Sequence, residues 1–240
     1  MRLKPLLFAL LLLCFAPCQV AAQSESPAKG GYARIGVLVA MEKEMKMLKD
    51  CFTDDRVVIR QCGMGKVNAA VGCAELIRDC QPDVVISLGC AGGQGADVHL
   101  GDAVVSTALV YHDVYCGSDV AYGQIPGMPL YFKSDSILLQ KALELGPKVV
   151  PGLIVTGDWF VDTKAKMREI IGHFSAARAV DMESAAIAQV CYIHHVPFIS
   201  FRTVSDKPLE DEHASQYVNF WDTVSDTTFS LAKRFIESLL

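Results

Sequence analysis

Between residues 34 and 206 the chain alternates short, wholly apolar runs with longer segments in which apolar residues recur every three or four positions. Residues 34–40 place Ile35, Val37, Leu38 and Val39 in one block, and residues 57–60, 83–88, 103–110, 153–156 and 198–204 repeat the theme. Runs of this length and β-branched content predict buried strands. Helices are expected between them. One follows Ala40, with Met41, Met45 and Leu48 on its apolar side, and one spans 67–78 through Val67, Ala70, Val71, Ala74, Leu76 and Ile77. Two more fall at 164–174 and 183–194. The stretch 217–239 is amphipathic through Phe220, Val224, Phe229, Leu231 and Phe235. Strands alternating with helices predict one α/β domain around a largely parallel or mixed sheet. No internal repeat is visible.

Residues 1–30 follow a different rule. Arg2 and Lys4 precede an apolar stretch over 6–15, which leads to Val20-Ala21-Ala22. A positive start, a short apolar centre and a small-residue end are the parts of a secretory signal peptide, and the apolar stretch is short for a membrane span. The expected organisation is a signal peptide over 1–22, a linker over 23–31 and the folded domain over 32–240. That organisation predicts a periplasmic or secreted protein. An uncleaved anchor is the alternative, and lipidation at Cys18 is disfavoured by Pro17, where such sites want a small residue.

Formal net charge is −5, with both signs interspersed. The absence of a basic stripe argues against nucleic acid as a partner. Of nine cysteines, Cys14 and Cys18 fall in the leader. The remaining seven, Cys51, Cys62, Cys73, Cys80, Cys90, Cys116 and Cys191, are odd in number and irregularly spaced. They read as small hydrophobes, with at most one or two bridges.

Several motifs fail on inspection. Gly63-Met64-Gly65-Lys66 hints at a phosphate loop, but Arg60 stands where the first glycine belongs and Val67 replaces Ser or Thr. A dinucleotide fingerprint fails because Asn68 occupies the third glycine position. Cys191, His194 and His195 have no second pair of metal ligands to join, and no GxSxG occurs.

What remains are acids at element boundaries. In open α/β sheets, ligands gather beyond the carboxyl ends of strands. There the chain places Glu44 after the first strand, the glycine-rich Gly89-Cys90-Ala91-Gly92-Gly93 after the third, and Asp206 after the last. Glu183 opens a helix of small residues. Each acid alone also reads as an ordinary helix-start residue.

Six ordered blocks change the weight of these acids: Val39-Ala40-Met41-Glu42-Lys43-Glu44, the segment 63–70, the segment 89–93, the segment 152–158, Val180-Asp181-Met182-Glu183-Ser184-Ala185-Ala186 and Arg202-Thr203-Val204-Ser205-Asp206. Together they resemble the 5′-methylthioadenosine/S-adenosylhomocysteine nucleosidases over residues 34 to 239. The resemblance implies a nucleoside phosphorylase-like fold, a single-domain α/β/α sandwich around a mixed, partly barrel-like sheet. It also implies a homodimer, with neither metal nor cofactor. The reaction implied is hydrolysis of an adenine nucleoside's N-glycosidic bond. Asp206 would protonate purine N7, Glu44 would activate water with Arg202 nearby, and Glu183 would bind the ribose hydroxyls beside Met182. Phe160 would stack on the purine and backbone around Val161 would read its edge. Met41, Cys90, Ala91, Gly92 and Ser205 would complete the substrate pocket.

Two departures stand out. Cys90 sits where the family commonly has Ser, and Trp159 occupies a usually small position. For glycoside chemistry, Asp206 must hold a proton, whereas Glu44 must stay ionised, in wetter surroundings or closer to Arg202. A phosphorylase would need cations near the first loop, where Glu42 and Glu44 stand instead. A non-catalytic nucleoside-binding protein is a further alternative. The 5′ pocket is expected to borrow residues 122–127 of a partner subunit. Methylthioadenosine, adenosylhomocysteine, 5′-deoxyadenosine and aminofutalosine are not separated by these residues.

Overall fold

The first apolar run becomes β1 (Ile35–Val39), buried at every position. The computed structural model describes residues 31–48, 51–223 and 229–240. The expected signal peptide, nearly all of the linker, and Val224 lie outside the described residues. From β1 the chain continues through α1 (Glu42–Leu48), β2 (Val57–Gln61), α2 (Lys66–Cys80) and β3 (Val84–Gly93). Then come β4 (Ala103–Tyr111), β5 (Phe132–Lys133), α3 (Ser136–Leu143), β6 (Val149–Thr156), α4 (Lys164–His173) and β7 (Ala177–Asp181). The last elements are α5 (Ser184–His194), β8 (Phe198–Asp206), α6 (His213–Thr223) and α7 (Ser230–Glu237).

The eight strands make one mixed sheet in the order β2-β1-β3-β7-β6-β4-β5, and β8 pairs with both β3 and β4. Those last pairings close a ring through β3, β7, β6, β4 and β8, which is the barrel-like part of the expected fold. β8 runs parallel to β3 from Val85↔Phe198 to Gly92↔Asp206 and antiparallel to β4 at Ala103↔Thr203. All nine of its residues are buried.

Successive side chains on a strand point to opposite faces, and two cores follow from that alternation. On one face Ile35, Val37, Ile86, Leu88 and Phe201 pack with Phe235 of α7, whose ring lies 5.4 Å from that of Phe201. On the other, Leu38, Val85 and Val204 pack against α2 and α5 through Ala69, Cys73, Leu76, Ala185 and Ala188. The Cys73 and Cys191 sulfurs meet there at 3.7 Å. All seven described cysteines are free thiols. Cys73 and Cys191 are buried as small hydrophobes, whereas Cys116 is exposed.

Four elements depart from the pattern reading. β3 does not stop at Leu88 but runs on through the glycines, because β8 and then β7 pair with it there. β7 is a strand although Arg178 interrupts its apolar run; that guanidinium reaches the rim and pairs with Asp97. β5 is only two residues long, too short to show a pattern. α3 starts at a cap, the Asp135 carboxylate accepting from Ile137 N and Leu138 N. No helix among the described residues is long and apolar enough to cross a membrane.

Candidate active site

Glu44 occupies the first turn of α1 and is 1% exposed. Its Oε2 accepts the N–H groups of Ala40 and Met41, each at 2.9 Å, and its Oε1 accepts the N–H of Cys90 on β3 at 3.1 Å. Reaching back to the start of its own helix is half of a capping box. The helix-start role and the site role are therefore the same geometry. The surroundings are dry rather than wet, so three backbone donors and a nearby cation stand where solvent was expected. That cation is Arg202. A Cβ added at Gly89 would lie 2.4 Å from Arg202 Nη1 and 2.6 Å from Glu44 Oε1, so only glycine lets the two approach.

Arg202 is buried in the middle of β8 and does not line the cleft. Its Nε pairs with Asp181 Oδ2 at 2.9 Å, its Nη2 donates to Ser87 Oγ at 2.6 Å and to Ser184 Oγ at 2.9 Å, and Glu183 Oε2 stands 3.9 Å away. Burial opposes its charge, but Asp181, Glu183 and Glu44 outweigh that and raise its pKa. Asp181 is the principal residue that sequence reasoning passed over. Its Oδ1 accepts from Thr156 Oγ1 at 2.6 Å, and its Oδ2 from the Ser184 hydroxyl. The missing signal was β7 itself, which ends at Asp181.

Glu183 immediately precedes α5, and its Oε1 accepts the Gly65 N–H at 3.0 Å. Gly65 has φ +88°, left-handed backbone that favours glycine. Burial pushes the Glu183 carboxyl up to about 7, against the pull of Arg202 and the Gly65 N–H and with the help of Asp181 and Glu44. Asp206 ends β8, where the Ser205 hydroxyl donates to its Oδ1 at 2.7 Å. Burial holds the Asp206 carboxyl above the usual aspartate range, with Ser205 and His213 pulling the other way.

These acids face an open cleft of about 590 Å³. Of the residues expected there, Met41, Cys90, Ala91, Gly92, Phe160, Val161, Met182 and Ser205 all line it with Glu44, Glu183 and Asp206. The Cys90 thiol is pushed well above its ordinary value by burial and by Glu44, which keeps it protonated and a poor nucleophile. Trp159 also lines the cleft, and the Lys166 ammonium sits 4.6 Å over its ring. Tyr217 of α6 is a lining residue with no local sequence signal; its ring meets Phe160 edge-on at 5.3 Å. Cys191 is buried against Cys73, while His194 and His195 are exposed at the end of α5.

The acids at the strand ends of this closed mixed sheet lie within the span, residues 34–237, that the sequence model of the Phosphorylase superfamily matches. The chain is 38% identical over 216 residues to a 5′-methylthioadenosine/S-adenosylhomocysteine nucleosidase of Exiguobacterium sp. (strain ATCC BAA-1283 / AT1b), covering 80% of this chain and 92% of the relative. Among solved structures it is similar to the nucleosidase of Neisseria meningitidis in complex with methylthio-immucillin-A, at 33% identity and TM-score 0.78. That match covers 86% of this chain and 98% of the other. The Colwellia psychrerythraea 34H nucleosidase in complex with adenine matches at 33% identity and TM-score 0.80, over 87% of this chain and 96% of that one. Within the superfamily, the chain belongs to the 5′-methylthioadenosine/S-adenosylhomocysteine nucleosidase family and is a nucleosidase.

A raised carboxyl pKa means that the folded chain holds the proton more tightly than the unfolded chain. Its stabilising contribution is complete below the ordinary value of 4.5 and lost as pH rises through about 7. Glu183→Gln should therefore raise the melting temperature at pH 8 by several degrees, an effect of at most about 3 kcal/mol, while impairing turnover. Calorimetry at pH 5 and pH 8 checks this: equal melting shifts at both pH values would show that Glu183 does not titrate there.

Proposed function

We propose that this nucleosidase hydrolyses the N-glycosidic bond of 5′-methylthioadenosine and S-adenosylhomocysteine, releasing adenine. One observation carries the reading: the cleft holds two acids in opposite settings. Asp206 is buried with a raised pKa, suited to giving a proton, and Glu44 is locked as an acceptor by three backbone N–H groups. Asp206 gives its proton to purine N7, so that the C1′–N9 bond breaks onto a neutral leaving group. Water attacks C1′ from the other side of the sugar, and its proton passes to Glu44. Glu183 accepts from the ribose hydroxyls and, with Glu44, places negative charge beside the cationic sugar. Phe160 and Tyr217 flank the purine. Arg202 acts from behind the wall, fixing Glu183 and Glu44 rather than meeting the substrate.

Water is favoured over phosphate as the nucleophile. No lysine or arginine is among the described residues lining the cleft, so a phosphate dianion has no cationic partner there. Arg202 is already occupied by Asp181, Ser87 and Ser184.

A homodimer fits the surface. Met64, Val67 and Val71 are 58%, 73% and 53% exposed at and just before α2, and Tyr115 is 69% exposed. Aligned exposed apolar residues of this kind mark interaction surfaces. Residues 122–127 line none of this chain's own cleft; Tyr122 instead stacks on His173 at 3.8 Å. That leaves the segment available to a partner's 5′ pocket. Export, read from residues 1–22, is the remaining part of the proposal and suggests scavenging of external nucleosides.

Asp206→Asn should lose nearly all adenine release while keeping its fold by circular dichroism; wild-type rates in this variant would sink the assignment. The wild-type enzyme should give free sugar without phosphate, and a sugar 1-phosphate formed only with phosphate would replace hydrolysis by phosphorolysis. Light scattering should return twice the chain mass, and Val67→Glu should return one; a wild-type monomer would refute the dimer. Fractionation of the source cells should place a shortened chain outside the cytoplasm. An unprocessed soluble cytoplasmic chain would count against export.

A further inference from the structure

Outside the cleft, three charged residues from distant parts of the chain close a ring of hydrogen bonds. Asp113 lies just past the end of β4, Lys66 opens α2, and Asp158 lies just past the end of β6. One oxygen of Asp113, Oδ2, accepts both the Lys66 ammonium at 2.7 Å and the Asp158 backbone N–H at 2.8 Å. Asp158 Oδ1 accepts the Lys66 backbone N–H at 2.7 Å. Lys66 is thus held at both ends, and the cycle returns on itself. The Lys66 and Asp113 side chains are each 23% exposed, so the pair is partly shielded from water. None of the three lines the cleft.

Each member of the ring adjoins a wall of the cleft. Asp158 is followed by Trp159, Phe160 and Val161, all of which line it. Lys66 is preceded by Gly65, whose N–H holds Glu183. A Cβ on Gly65 would come within 3.0 Å of Asp158 Oδ1, so the loop and the start of α2 are in close contact. The Trp159 N–H turns back to Gly157 O at 2.8 Å, so displacement of Asp158 carries the aromatic residues with it.

We propose that Asp113 is a positioning residue for substrate binding: through Asp158 it fixes the aromatic wall, and through Lys66 it fixes the Gly65 N–H that orients Glu183. The proposal rests on the assignment of those two walls to purine and ribose. A charge-assisted acceptor shared by two donors is a stiff link. A peptide plane displaced by about 1 Å is enough to weaken a bound ligand's fit. Because the ring acts on the walls and not on the proton-transfer groups, its loss should appear in binding more than in turnover.

The experiment is steady-state kinetics on methylthioadenosine, with adenine as a product inhibitor, below the melting temperature of every variant. Asp113→Ala should raise KM by about 10-fold and weaken adenine inhibition comparably, with kcat within about threefold. Asp113→Asn keeps one acceptor and should fall between. Lys66→Met should behave like Asp113→Ala, and Lys66→Arg should restore most of the affinity. If Asp113→Ala does not fold, Asp113→Asn and Lys66→Met carry the test. KM and adenine inhibition within twofold of wild type in folded variants would overturn the proposal, as would an equal loss confined to kcat. Glu183→Gln and Asp206→Asn in the same assay separate the two readings. Normal turnover in those variants would remove the site assignment itself, while their failure beside wild-type-like Asp113 variants would remove only the role of the ring.

Discussion

At the centre of β8 the Arg202 guanidinium is sealed from solvent, and much of the site is arranged around it. A buried cation is costly unless paired and hydrogen-bonded. Here Asp181 supplies the close partner, Ser87 and Ser184 accept further N–H groups, and Glu183 and Glu44 lie within electrostatic reach. These groups come from β3, β7, α5 and α1, so one charge fixes the relative positions of four elements. Closure of the strand ring is what makes this possible, since β8 touches β3 and β4 at once. Gly89 is the matching steric requirement: any side chain there would push Arg202 and Glu44 apart.

Around that cation the three acids sit in different settings. Glu44 accepts three backbone N–H groups, which hold it in place as an acceptor. Glu183 feels Arg202 directly, yet burial and two neighbouring carboxylates push it up to about 7. Asp206 stands apart from the cation, with one hydroxyl donor and a buried carboxyl that retains its proton more readily. Donor number, burial and distance to one guanidinium give the three carboxylates different settings, and burial raises the pKa of the two that hold a proton more tightly, Glu183 and Asp206. Such arrangements are bought with stability: buried acids kept for chemistry do not make the fold more robust.

The aromatic side of the cleft is built differently. Phe160 and Trp159 are half exposed, carried on a short loop after β6 rather than on a strand. Tyr217 reaches Phe160 from α6, a helix with no buried residue. The loop's base is bonded through Asp158 to Lys66 and Asp113, whereas the acid-bearing wall is set in the core. The cleft thus sets an acid-bearing wall rooted in the core opposite an aromatic wall carried on a loop and an exposed helix.

The sequence by itself determined the order of the longer apolar strands and of the helices between them, apart from β5, α3 and β7, because apolar periodicity is local and survives in any tertiary context. Glu44 and Asp206 were legible as strand-end acids, since both follow apolar runs whose ends are visible in the chain, and the structure brings both to one cleft. Glu183 was legible through the small-residue helix behind it, and eleven of the twelve expected site residues do line one cleft. Arg202 is the exception, sitting behind the wall, because its position depends on partners 21 and 115 residues away, Asp181 and Ser87. The continuation of β3 through its glycines, the existence of β7, the role of Asp181 and the contribution of Tyr217 were decided only by strand pairing and helix packing. The same holds for the raised proton affinities of Glu183 and Asp206: composition puts carboxylates in the chain, but burial, a long-range property, sets how tightly these two hold a proton.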